Sequence, residues 1–243
     1  EFFLKKNFFS QSYLLRRRLE RAIKKNEENE IKLVKNFIKN DTDTLDIGVY
    51  RGVYSYEMSK YSKTVHAFEP NPIIYKDLDK NLKKIVKNIN LYNFALSNKN
   101  EDIELKIPIR DLNSNKENYE EYYQLGKATI HKENKLKNFE KCKIISKKID
   151  DLDFKNKISF IKIDVEGHEK EVIEGGVKTI QKNKPVLLIE IEKQYSKRNV
   201  SDTINFINSL GFTSYFFDNI NLKKTNDLNN LNKYNNFIFK PNK

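Results

Sequence analysis

Cysteine occurs once in these 243 residues, at Cys142, and tryptophan not at all. A lone cysteine excludes an internal disulfide and a cysteine-built metal site, and it suits a reducing compartment. No run of 18 apolar residues is present, which excludes an obvious membrane-spanning helix. The opening residues, EFFLKKNFF, show none of the three parts of a secretory signal peptide, so the expected setting is cytoplasmic. Hydrophobic residues make up 38%, short of the usual range of about 45–50%. Charge fills the gap: 33% of residues are charged, with a net charge of +12. A basic surface favours anionic partners. The lysines are spread along the chain beside Glu and Asp, so they read first as solvated faces, with nucleic acid as the alternative.

Glycine is scarce as well. There are seven, and five fall in two places, at 48 and 52 and at 167, 175 and 176. The first pair lies in TLDIGVYRGVYSY, Thr44 to Tyr56. A short apolar run leads into Gly48 and Gly52, then a segment compatible with a helix. Strand, glycine turn, helix is the order that lets a ligand lie against backbone near a helix start. The dinucleotide pattern G-x-G-x-x-G fails, because Tyr50 stands two residues after Gly48. A second apolar run, Thr64–Phe68, ends in Glu69-Pro70-Asn71-Pro72, with Glu69 21 residues past Gly48. An acid at that place can accept hydrogen bonds from both hydroxyls of a ribose. The two features point to an adenosine-type ligand on a turn not shaped for pyrophosphate.

Residues 1–40 read as an N-terminal helical extension. Leu14, Leu15, Leu19 and Ile23 recur at helical spacing, with Arg16, Arg17, Arg18, Arg21, Lys24 and Lys25 on the other faces. Such a helix either packs on the domain or a second subunit, giving a homodimer, or lies on a membrane surface. A second helix is expected over Glu30–Ile38. Residues 41–243 then form one domain in which strands alternate with helices: strands at Thr44–Ile47, Thr64–Phe68, Ile89–Ala95, Ile158–Ile163 and Val186–Ile191. That alternation predicts an α/β fold with a mostly parallel sheet covered on both sides, and ligands beyond the carboxyl ends of the strands. Glu101–Ile107 reads as a strand near a sheet edge. The helix after Gly167 is expected to run to about Ile180. The last two strands, Thr213–Phe217 and Asn236–Phe239, read as an antiparallel pair. A polar insertion near 108–142, with Tyr119, Tyr122 and Tyr123, reads as a lid or substrate-contacting element.

The segments DIGVYRGVYS, FEPNP, NFALSN, IKIDVEGHE and LIEIE, within residues 44–192, together resemble the FkbM-like family of S-adenosylmethionine-dependent methyltransferases. The resemblance implies a Rossmann-like class I methyltransferase fold, with seven strands and the last antiparallel. It implies S-adenosylmethionine as cofactor, with Asp46, Gly48 and Gly52 forming its turn and Val49-Tyr50 where the family usually has Ala-Asn. Glu69 would hold the ribose, with Pro70 and Asn71 beside it. Asn93, Ala95 and Leu96 would lie near the adenine, and Asp164 near the methionine amine or the reacting centre. Carboxylates suit this cofactor, which carries a sulfonium and an ammonium, and would repel a pyrophosphate.

The resemblance also implies oxygen as the methyl acceptor, on a sugar, glycan or related small molecule. A hydroxyl acceptor benefits from a positioned base, and the candidates are His168, Glu166 and Asp164, with Glu166 otherwise bracing the turn through backbone N–H groups. His66 reads as structural, and His131 as a possible substrate contact. Asp164 with Glu190 or Glu192 ends adjacent strands, a layout some O-methyltransferases use for Mg²⁺; no metal ligand is assigned. The rival readings are an RNA methyltransferase and a non-catalytic binding protein on a degenerate methyltransferase fold.

Overall fold

Asp43–Ile47 (β1) is buried along its whole length, the pattern of a strand covered on both faces. The computed structural model describes residues 11–25, 28–108, 125–130, 138–191, 200–225 and 233–242. Tyr119, Tyr122, Tyr123, His131 and Glu192 lie outside the described residues. The remaining strands are Thr64–Phe68 (β2), Ile89–Tyr92 (β3), Ala95–Leu96 (β4), Glu101–Pro108 (β5), Phe139–Lys147 (β6), Ile158–Ile163 (β7), Val186–Glu190 (β8), Phe212–Phe217 (β9), Leu222–Lys224 (β10) and Asn236–Pro241 (β11). Eight of them form one sheet in the order β10-β9-β11-β8-β7-β1-β2-β3. Strands β3, β2, β1, β7 and β8 are parallel. β11 slots antiparallel between β8 and β9.

The sheet therefore has eight strands rather than seven. The added one, β10, folds back on β9. Asp218 makes that return: its Oδ1 accepts the N–H of Ile220 at 3.0 Å and of Asn221 at 2.7 Å. Glu101–Pro108 is not at the edge of this sheet. It pairs with β6 in a separate three-stranded sheet, β4-β6-β5. The expected strand Ile89–Ala95 divides at Asn93, whose amide turns to the carbonyls of Glu69 and Pro70. The helix after Gly167 also divides, into Glu169–Glu174 and Val177–Asn183. Gly175 lies at the break, where a Cβ would stand 2.0 Å from the carbonyl oxygen of Ser97. The segment expected as the second helix is a 3₁₀ turn, Asn29–Asn36.

Two apolar layers sandwich the main sheet. Leu45, Ile47, Phe68, Ile161 and Ile163 face one; Val65, Ala67, Phe160, Leu188 and Ile238 face the other. The Gln11–Lys25 helix closes the second layer with Leu19 and Ala22 buried, against the Val53–Met58 and Pro72–Ile85 helices. Its arginines and lysines face outward. Among the described residues no helix is long and apolar enough to cross a membrane.

Candidate active site

The carboxyl ends of β1, β2 and β7 meet at Gly48. Its φ is +86°, and a Cβ there would lie 1.7 Å from the carbonyl oxygen of Asp164. Only glycine lets the turn after β1 pass this close to the end of β7. Asp46, fully buried, accepts a hydrogen bond from Ser55 Oγ at 2.5 Å and so ties β1 to the helix that follows. Burial pushes its carboxyl up to about 7, against the lowering effect of the Ser55 bond. Gly52, at φ +78°, starts that helix where a Cβ would meet the Leu82 side chain at 2.9 Å. Between them, Tyr50 also takes a left-handed backbone, φ +48°.

Glu69 holds this turn from the end of β2. Its Oε2 accepts the N–H of Tyr50 and its Oε1 the N–H of Asn71, both at 2.9 Å. Burial pushes the carboxyl up to about 7, while the two backbone bonds pull the other way. Asn71 caps the Pro72–Ile85 helix by accepting the N–H of Ile73 at 3.0 Å. Asn93 Nδ2 donates to the Glu69 carbonyl at 2.8 Å and the Pro70 carbonyl at 3.2 Å, which fixes the loop carrying the acid.

At the end of β7, Asp164 is about one-third exposed, 32%. Glu166 and Gly167 both have positive φ, 53° and 98°. Glu169 braces this turn: its Oε1 accepts the Gly167 N–H at 2.8 Å. The same bend carries His168 away. Its Nε2 lies 2.9 Å from Ser97 Oγ, its Nδ1 3.8 Å from Glu171 Oε2, and it does not line the cavity described next.

That cavity, about 510 Å³, opens at the strand ends. Of the residues singled out in the sequence, Gly48, Tyr50, Glu69, Pro70, Ala95, Leu96, Asp164, Glu166 and Glu190 line it. Asp46, Val49, Gly52, Asn71 and Asn93 stand behind the wall and shape it. Phe68 and Phe94, within the segments FEPNP and NFALSN, supply apolar wall, a role the sequence did not assign to them. The segment 125–130 covers one side. Asn71 Nδ2 donates to the Leu125 carbonyl at 3.3 Å, Gly126 packs against the Tyr50 ring, and Thr129 Oγ1 donates to the Glu166 carbonyl at 2.9 Å. Thr129 also exchanges two backbone hydrogen bonds with Lys106 of β5.

Asp164 and Glu190 do end adjacent strands, but the Lys162 ammonium stands near both, at 3.7 and 3.9 Å. The ammonium already offsets part of the negative charge that a divalent cation would meet there. No cluster of three or more His, Cys, Asp or Glu suited to a metal occurs among the described residues.

The raised Glu69 carboxyl has a measurable consequence. Its folded value of about 7 exceeds the unfolded 4.5, so the folded chain holds this proton more tightly. The stability it contributes is full below about 4.5 and is lost as pH rises through about 7. Glu69→Gln lacks that titration. The melting temperature of the native chain minus that of Glu69→Gln should therefore shrink between about pH 5 and about pH 8, followed calorimetrically. A difference that stays constant with pH would mean the two backbone bonds fully offset the burial, and one that grows would mean the folded carboxyl lies below its unfolded value.

Among solved structures, the chain is similar to an FkbM methyltransferase from Methylobacillus flagellatus, at 16% identity and a TM-score of 0.53. The match covers 84% of this chain and 44% of that one, so the chain spans less than half its length. It is also similar to an rRNA methylase from Streptococcus thermophilus, at 9% identity and a TM-score of 0.46, covering 88% and 95%. At such identities the likeness concerns the fold. No curated protein matches the sequence. The model of the methyltransferase FkbM domain matches residues 46–214, well over half of the chain, and the protein belongs to that family.

Proposed function

We propose that the protein transfers a methyl group from S-adenosylmethionine to a hydroxyl oxygen, on a sugar, glycan or related small molecule. The observation that carries this reading is Glu69. A buried carboxylate in the wall of the cavity holds the backbone of the glycine turn and faces the place where a ribose would sit. In that wall the acids Glu28, Glu69, Asp164, Glu166 and Glu190 outnumber the cations Arg51 and Lys127 and leave it anionic. An anionic wall suits a ligand bearing a sulfonium and an ammonium and disfavours a pyrophosphate. Glu69 would hold the ribose hydroxyls, Ala95, Leu96 and Phe94 the flat base, and Asp164 the ligand's ammonium. The cofactor supplies an activated methyl group.

The chain's own part is then alignment of the acceptor oxygen with that methyl and removal of the hydroxyl proton. Asp164 and Glu166 line the cavity and suit that second task; His168 is directed elsewhere. The single cysteine favours a cytoplasmic setting for such an enzyme.

Thermal unfolding with S-adenosylmethionine, S-adenosylhomocysteine and NAD tests the reading. Ligand at about 100 times its dissociation constant adds about 2.7 kcal/mol. At about 2–4 °C per kcal/mol the rise should be several degrees with the two sulfur compounds and absent with NAD. No rise with any of them would favour a non-catalytic binding protein. The outward cations of the Gln11–Lys25 helix support RNA as a second class of acceptor. Binding of RNA that weakens steeply with salt would favour it.

A further inference from the structure

β7 carries one lysine in an otherwise apolar interior. Lys162 lies in register between Asp46 on β1 and Leu188 on β8, and its side chain is 1% exposed. Stripping the water from an ammonium is heavily unfavourable unless opposite charge and polar partners replace it. Its Nζ stands 3.7 Å from Asp164 Oδ2, 3.9 Å from Glu190 Oε2 and 5.2 Å above the Tyr54 ring. Neither oxygen is at hydrogen-bond distance, and among the described residues Nζ has no hydrogen-bond partner. Burial works against the charge. Asp164, Glu28, Glu190 and Asp46 outweigh it and hold the ammonium protonated above the ordinary lysine range.

Two cavities meet at this group. Asp164 and Glu190 line the large one. Lys162 and Tyr54 line a second, of about 60 Å³, beneath the glycine turn, and Glu28, Arg51 and Asp164 reach both. Among the described residues Lys162 Nζ is buried there without a hydrogen-bond partner, beside Tyr54 Oη and the Glu28 carboxylate, which face each other. An internal water needs about 10–15 Å³ and two to four polar partners. The small cavity offers both, so it can hydrate the ammonium from behind while the front faces carboxylates.

We propose that Lys162 is a positioning residue of the active site: its ammonium stands behind Asp164 and Glu190 and keeps both carboxylates charged toward the large cavity. The inference rests on the reading of that cavity as the S-adenosylmethionine site. Two carboxylates facing one space repel, and without a cation between them one takes up a proton. With Lys162 in place the ligand's ammonium meets two negative groups. The charged and titratable groups around Lys162 are Asp164 of β7, Glu190 of β8, Asp46 of β1, Glu28 and Glu30 at the 3₁₀ turn, Tyr54 of the helix after the glycine turn, and Arg51 of that turn across the small cavity.

Lys162→Met tests this through its pH profile. Calorimetry should give the affinity for S-adenosylhomocysteine from about pH 6 to about pH 8, read as variant against native chain so that the titration of Glu69 cancels. The variant should bind about tenfold more weakly at the acid end than at the alkaline end, relative to the native chain. The double change Lys162→Met/Glu190→Gln should remove that pH dependence; a dependence that survives it would come from Asp46, whose carboxyl already lies at about 7 beside Lys162, and would overturn the proposal. A ratio independent of pH in the single variant would overturn the proposal, because a merely structural lysine weakens binding equally throughout. Should the single variant fail to fold, the double decides. Folding and binding restored by Glu190→Gln supports the charge role; failure of the double to fold overturns it. A native chain that does not bind S-adenosylhomocysteine sinks the cofactor reading first, and this inference with it.

Discussion

Glu69→Ala should weaken binding of S-adenosylhomocysteine by about a hundredfold or more. A charged hydrogen bond contributes about 1.5–3 kcal/mol, and a ribose offers two hydroxyls to one carboxylate. Each 1.4 kcal/mol is about a tenfold change in affinity, so loss of two such bonds gives the expected range. The same substitution leaves the N–H groups of Tyr50 and Asn71 without their present acceptor. A lower melting temperature should therefore accompany the lost affinity. The two effects are separable, since calorimetric titration well below the melting temperature reads binding alone. Unchanged affinity with a lowered melting temperature would assign Glu69 to the loop and not to the ligand.

Gly48→Ala should be severely damaging for a single added methyl. The new Cβ would need to occupy space 1.7 Å from the Asp164 carbonyl oxygen, on a backbone with φ +86°. Neither conflict has a cheap escape. The obstacle is main chain at the end of a central strand, and the left-handed angle strains any residue with a Cβ. Losses above about 4 kcal/mol are exceptional and arise from such conflicts. At about 2–4 °C per kcal/mol, the melting temperature should fall by about 10 °C or more. A folded variant of nearly native stability would show that the ends of β1 and β7 do not approach as described.

The three strand ends were legible because glycine is rare here and acids follow the apolar runs at regular places. Alternating strands and helices likewise announced a mostly parallel sheet. What escaped depended on packing that sequence spacing does not encode. Lys162 reads as an ordinary polar residue on a strand until the sheet is covered on both faces. His168 follows two acids and looks poised at a strand end. Only the positive φ of Glu166 and Gly167 reveals that its ring swings toward Ser97. β10 hangs on the turn chemistry of Asp218, and Phe94 became wall because Asn93 breaks the strand before it. The part of the insertion that covers the cavity, 125–130, carries no motif at all.

Tyr50 and Gly126 have a consequence for how this family varies. The backbone of Gly126 is not left-handed, so its need for glycine is a matter of space alone: a Cβ there would lie 2.7 Å from Tyr50 Cε2. One residue contributes a ring and the other gives up a side chain, and the two share a single volume. A chain with a small residue at the position of Tyr50 is released from glycine at 126, and a chain with both large must move its cover. A side chain added at 126 therefore has to displace the Tyr50 ring, and with it the wall on which the 125–130 cover rests.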